Sequence, residues 1–193
     1  MTAEARSQPA RTNQGLGTAV FLASESFFFL TLILAFFYLR AEADPARLTG
    51  GDVLDTARSA IFTAFLIASS GTYLLAERSH QRQNRGGLRL WLAVTLLFGV
   101  LFLAGQAWEY YDAWGDGLTI ESDVFGTQFY TLTGIHFLHV SAGAVMLAIL
   151  LGFALGGRAH EPGAGAMQPI GYYWHFVDVV WIILFTVVYL VGA

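Results

Sequence analysis

GTAVFLASESFFFLTLILAFFYL, residues 17–39, decides the architecture, because it carries a single charged side chain, Glu25. A helix rises 1.5 Å per residue, so about 20 apolar residues cross the ~30 Å of hydrocarbon in a bilayer. A second window, Ile61–Ala76, has no charged residue at all. The composition agrees with such windows: 55% of the 193 residues are hydrophobic and 12% charged, and mean hydropathy is +0.55. An average soluble domain carries about twice that charge. Helices are expected at 17–40, 57–77, 89–113, 126–155 and 169–191. The expected fold is therefore all-α, an integral membrane bundle of five transmembrane helices forming one membrane domain over 1–193.

The connections read as short loops. Ala41–Thr56 contains Pro45 and Gly50-Gly51, Glu77–Leu88 is the charged stretch ERSHQRQNRGGL, Trp114–Phe125 is acidic, and Gly156–Gln168 is glycine-rich. Met1–Gly15 is polar, with no apolar core before a cleavage site, so helix I is expected to act as its own uncleaved insertion signal. All ten basic residues are arginine. With the N-terminus inside, Arg6, Arg11, Arg78, Arg82, Arg85, Arg89 and Arg158 face the cytoplasm, against Arg40, Arg47 and Arg58 outside. The positive-inside rule thus places the N-terminus in the cytoplasm and the C-terminus outside. Tyr38, Trp91, Trp108, Tyr110, Trp114, Tyr172 and Trp174 fall near expected helix ends, where aromatic belts form. The absence of cysteine excludes disulfides and thiolate metal sites, and a net charge of −4 without basic tracts excludes nucleic acid as a partner.

An ionisable side chain within a membrane span is expensive and calls for a reason. The candidates are Glu25, Glu109, His136, His139, His175 and Asp178. Glu25 lies roughly 12 Å, and His175 and Asp178 about 9 and 14 Å, from the cytoplasmic ends of their helices, which suggests one inner layer. His175 and Asp178 are three apart and share a helix face, so a mutual or interhelical hydrogen bond is expected. Glu109, near the outer end of helix III, is expected to meet water or headgroups. His136 and His139 lie roughly 15–20 Å from the outer start of helix IV, more than roughly 10 Å from the level of His175. That offset and the lack of a neighbouring carboxylate at i+3 disfavour haem or metal ligation, leaving histidines hydrogen-bonded at a helix interface. Glu25 reads either as a carboxyl satisfied by a neighbouring helix or as a proton or lipid-headgroup site. Gly134, Ser141, Ala142, Gly143 and Ala144, with Ala68, Ser69, Ser70 and Gly71, are expected to permit close helix approach. Phe27-Phe28-Phe29 and Phe36-Phe37 are expected to face lipid or neighbouring helices.

Three stretches resemble subunit III of the haem-copper oxidases, the cytochrome c oxidase subunit 3 family, and together they cover most of 17–192. SESFFFLTLILAFFYL (24–39) resembles a helix in which a buried glutamate opens a phenylalanine-rich segment. GQAWEYYDAWGDGLTIESDVFGTQFYTLTGIHFLHVSAG (105–143) carries the Q-x-x-E-Y and T-G-x-H-x-x-H-V-x-x-G patterns. YYWHFVDVVWIILFTVVYL (172–190) is similar to the family's C-terminal signature. The resemblance implies a short five-helix bacterial form in the cell membrane, beginning at the third family helix and so with an incomplete phospholipid cleft. It implies an accessory subunit with no haem or copper of its own, those cofactors residing in partner subunits. Such a subunit packs mainly on subunit I, with subunit II, other respiratory complexes and membrane lipid as further partners. It supports proton uptake and protects the active site during turnover. Glu25 matches the family's carbodiimide-reactive glutamate, whereas Gln168 stands where many members have a glutamate seven residues before the histidine matched by His175. No catalytic, cofactor or metal ligand is implied in this chain. The equivalent subunit of a quinol oxidase, a relative accompanying nitric oxide reductases, a proton-coupled transporter using Glu25, His175 and Asp178, and a membrane cytochrome using the histidines are the competing readings. Against a transporter stands the lack of an inverted repeat or a Gly/Pro-broken helix.

Overall fold

The computed structural model describes residues 4–43, 53–157 and 166–191. Among them the chain forms α1 (Glu4–Glu42), α2 (Thr56–Gln81), α3 (Arg85–Gly115), α4 (Val124–Leu155) and α5 (Met167–Phe185). A π-helical segment, Thr186–Val191, continues α5. Among the described residues, five helices are long and apolar enough to cross a membrane. Pro45, Gly50, Gly51, Arg47 and Arg158 lie outside the described residues.

The helix ends follow from local chemistry. Asp55, Asn84 and Asp123 cap α2, α3 and α4, each accepting the backbone N–H of the residue three positions on. Gly117 at φ 87° and Gly157 at φ 78° close α3 and α4 in left-handed geometry, which glycine adopts without a Cβ penalty. Helix IV matches its expected C-terminus, but α1, α2 and α3 overrun theirs, because amphipathic flanks extend a helix beyond its apolar window. At 31 and 32 residues, α3 and α4 run to about 46 and 48 Å.

In cross-section α2, α3, α4 and α5 form a closed ring, and α1 lies outside it against α4 and α5. We call the end holding Asp55, Gly115 and Val124 the acidic end and the opposite one the arginine end. The core is aromatic: Trp174, Trp181, Tyr73, Phe102, Phe125 and Phe129 are all fully buried. Trp174 was expected in a surface belt. Instead its ring fills the centre, whereas Tyr38, Trp108, Trp114 and Tyr172 are exposed as a belt requires. The phenylalanine run divides: Phe29 and Phe36 are buried, and Phe27, Phe28 and Phe37 face outward.

The small residues also act differently from expectation. A Cβ on Gly143 of α4 would lie 2.8 Å from the Trp174 ring, as would one on Gly99 of α3. One on Gly105 would lie 2.2 Å from the Phe62 ring. These glycines admit aromatic rings rather than a second backbone. Gly71 faces open space.

Candidate functional site

Among the described residues, the candidate ionisable groups other than His136 fall into three clusters. The first is at the acidic end. Glu109 of α3 is only 3% exposed, so it does not meet water or headgroups as its sequence position suggested. Ser59 of α2 donates to one carboxyl oxygen at 2.5 Å. Tyr189, in the π-helical segment, donates to the other at 2.5 Å, joined by Gln106 Nε2 at 3.3 Å. Glu109 sits two turns inside α3, whose true end is Gly115, and its face turns toward α2 and the C-terminal segment.

Beside it, Arg58 bonds Asp112 at 2.5 Å and lies 5.3 Å from the Trp108 ring centre. This pair borders a cleft of about 850 Å³ lined also by Asp55, Tyr111, Trp114 and Asp116. The two side chains are 22% and 34% exposed, so water screens their attraction. Arg58→Ala is expected to cost under about 1 kcal/mol. Thermal melts of the purified protein at low and high ionic strength check this: the small loss should vanish in high salt.

The second cluster joins α2 to α5. Ser70 Oγ lies 2.8 Å from His175 Nδ1 and also donates to Asp178 Oδ2. The expected interhelical bonding of His175 and Asp178 is therefore present, with one serine serving both. Trp174 Nε1 donates to Ser69 Oγ at 2.9 Å, and Trp181 Nε1 to Thr63 Oγ1 at 2.9 Å.

The third cluster overturns the expected layering. Glu25 of α1 lies 3.0 Å from His139 Nε2 of α4, not with His175 and Asp178. His139 Nδ1 lies 2.8 Å from the Ile135 carbonyl, which only accepts, so Nδ1 carries the hydrogen. The Nε2 contact then contains one further proton shared with Glu25. Tyr173 donates to the His139 carbonyl at 3.0 Å, and Phe29 packs edge-on against the imidazole. Counted from the acidic end, Glu25 is about 25 Å deep and His139 about 22 Å. Counting from opposite ends of helices with unequal overhangs had separated two residues that share a level.

His136 makes no hydrogen bond, contrary to expectation. Its ring is wholly buried, stacked on Trp181 at 4.9 Å with Phe102 and Phe29 at its edges, and neither nitrogen has a partner. Gln168 donates to the Tyr172 hydroxyl at 3.2 Å. Among the described residues, no three His, Asp or Glu side chains stand close enough to hold a metal ion.

Residues 5–193 match the family described as cytochrome c oxidase subunit III. The chain belongs to this family. It is 40% identical over 176 residues to the probable cytochrome c oxidase subunit 3 of Mycobacterium leprae (strain TN), covering 91% of this chain and 87% of that one. It is 37% identical over 178 residues to cytochrome c oxidase subunit 3 of Corynebacterium diphtheriae, with the same coverage. A cytochrome bo(3) ubiquinol oxidase subunit 3 of Pseudomonas aeruginosa is 35% identical over 145 residues, covering 75% of this chain and 69% of that one. The protein is thus a multi-pass membrane protein and an accessory subunit III of a haem-copper oxidase, associating with other subunits of that complex. The quinol-oxidase alternative is the less favoured.

The partners of subunit III's ionisable residues escaped the sequence reading. Ser59, Thr63, Ser70, Tyr73 and Glu77 recur at helical spacing along α2 and mark its polar face. That stripe was the available signal. Tyr189 had none, because only the π-helical turn brings it onto Glu109.

Proposed function

We infer that this chain is subunit III of a proton-translocating cytochrome c oxidase, stabilising the catalytic subunit and supporting proton uptake there without a catalytic centre of its own. The observation that carries this reading is the family match over nearly the whole chain, with relatives named cytochrome c oxidase subunit 3 at 37–40% identity. Haem and copper belong to partner subunits, subunit I being the main contact and subunit II a second. Phospholipid fills the apolar faces that remain, and other respiratory complexes are further partners. The chain is one membrane domain in a bacterial inner membrane, N-terminus in the cytoplasm and C-terminus outside, as the arginine distribution favours. In this setting Glu109, His136, His175 and Asp178 serve the interior of the bundle. Glu25 and His139, each about one-fifth exposed, stand where α1 meets α4 and offer the proton or lipid side of the site.

Affinity purification of the tagged chain from its native membrane tests the reading. A large haem-bearing subunit with a dinuclear copper partner should come with it. Purification alone, or with a Soret band of its own, would overturn it. Glu25→Gln places a neutral group of the same size facing His139. Assembly and initial turnover are expected to stay close to wild type in oxygen-consumption traces; complete loss of activity in the first turnovers would count against an accessory role.

A further inference from the structure

We propose that His175, Ser70 and Asp178 form a three-residue proton relay that stores one proton inside subunit III, loaded from the arginine end of the bundle. Nothing in the accessory role assigns such a site. The inference stands on connectivity and needs no particular membrane orientation.

A serine hydroxyl has one hydrogen to donate. Ser70 contacts both His175 Nδ1 and Asp178 Oδ2, so its hydrogen points to one and the other must supply its own. In the unloaded state Ser70 donates to the Asp178 carboxylate, His175 Nδ1–H donates to Ser70, and Nε2 holds a bare lone pair. Loading begins when a proton carried by hydronium or by the Glu77 carboxyl binds Nε2. The Nδ1–H bond then breaks as that proton passes to Ser70 Oγ, while the serine's own proton passes to Asp178 Oδ2. One N–H and two O–H bonds form while one N–H and one O–H break, and the net change is a single added proton, held on Asp178. Imidazole stays neutral in both states but changes tautomer, and the carboxylate becomes a carboxylic acid.

Two features make this a site rather than a simple interhelical bond. His175 Nε2, where the relay begins, and Asp178 Oδ1, the second oxygen of the carboxyl on which it ends, are buried and have no partner. A proton carrier also stands on the arginine side. Glu77, half-buried on α2, faces Gly171 of α5, where a Cβ would lie 3.0 Å from Glu77 Oε1 and 2.5 Å from the Tyr73 ring. The missing side chain at Gly171 lets Tyr73 and Glu77 pack against α5 about one turn, roughly 6 Å, below His175, which places a titratable carboxyl on the arginine side of the relay. Counted from the arginine end, Glu77 and Gly171 lie about 6 Å deep, His175 about 12 Å, and Asp178 and Ser70 about 16 Å. The titratable groups packed on Gly171 are Glu77 and Tyr73 of α2. Glu109 of α3 is bonded to Ser59 and Tyr189, His139 of α4 to Glu25 of α1, and His136 of α4 stacks on Trp181.

Infrared difference spectra of the purified oxidase complex in lipid, recorded between acid and alkaline buffer, test the relay. The wild type should show a protonated-carboxyl band and a neutral-imidazole tautomer change with a common pH midpoint. Asp178→Asn should lose the carboxyl band. Ser70→Ala should uncouple the two signals, and Ser70→Thr, which keeps the hydroxyl, should restore the coupling. Glu77→Gln should slow deuterium exchange of the carboxyl band. Coupled signals surviving in Ser70→Ala, or no carboxyl band in the wild type, would overturn the relay. Neither result bears on whether the chain is an oxidase subunit, which rests on co-purification.

Discussion

Trp174→Ala is expected to weaken the bundle more than any other single truncation, by about 3 kcal/mol. The indole is wholly buried at the centre of the ring of helices. It leaves α5 and enters a slot made by the absence of side chains at Gly99 of α3 and Gly143 of α4, while its N–H reaches Ser69 of α2. One side chain thus touches three helices besides its own. In lipid, apolar surface gains little by leaving its surroundings, so helices are held by contact and hydrogen bonding rather than by escape from water. A void of indole size removes contacts from all sides at once, and rigid helices close it only in part. The lost hydrogen bond adds little, because Ser69 also bonds the Leu66 carbonyl. Thermal melts and subunit content of the detergent-purified complex measure the effect: a lower midpoint and partial loss of the chain are expected. Initial turnover of complexes that keep the subunit should be unchanged. Trp174→Phe should recover part of the loss, and Gly143→Val should reproduce it from the opposite side of the slot. Full subunit content with an unshifted midpoint in Trp174→Ala would remove the wedge from the account.

Trp174 also shows where sequence reading succeeds and fails. The five helices were legible because hydrocarbon thickness demands a long, charge-free window, and 17–39 and 61–76 satisfy that demand by composition alone. The family was legible in WHFVDVVW and its companion stretches. Partners were not. Trp174 lies near the end of its apolar window, which suggested an interface belt, yet α5 begins at Met167 and carries the ring inward. Glu25 and His139 fall in separate layers when their depths are counted from opposite ends of their helices. A helix of 32 residues overshoots the membrane, so two such rulers share no origin. Which residue faces which depends on helix rotation and axial offset, and both are settled by packing that single-helix periodicity does not contain. His136 is the limiting case: its type suggests a ligand or a hydrogen bond, but its surroundings are three aromatic rings.

Glu109 carries the second large expectation, again against its apparent place in the sequence. Its carboxyl receives three donors from three parts of the chain: Ser59 of α2, Gln106 of its own helix and Tyr189 of the π-helical segment. Glu109→Leu fills much of the same space but strands these donors in an interior without water. Each stranded group costs about 1–3 kcal/mol, less where a hydroxyl turns to another acceptor. Ser59 has that freedom next to its own helix backbone, whereas Tyr189, only 2% exposed, reaches its partner from a fixed ring. A total near 3 kcal/mol is expected, well above the loss at the partly exposed Arg58. Glu109→Gln keeps one acceptor oxygen and should fall between wild type and Glu109→Leu. The discriminating measurement is a double-mutant cycle on the melting midpoint. If the cost of Glu109→Leu comes from the stranded phenol, Tyr189→Phe should destabilise the wild type yet partly rescue Glu109→Leu, because it removes the hydroxyl that has lost its partner. Additive losses would mean that the two residues act independently. The π-helical turn would then be positioned by the stacking of Tyr189 on Phe185 rather than by the buried carboxyl.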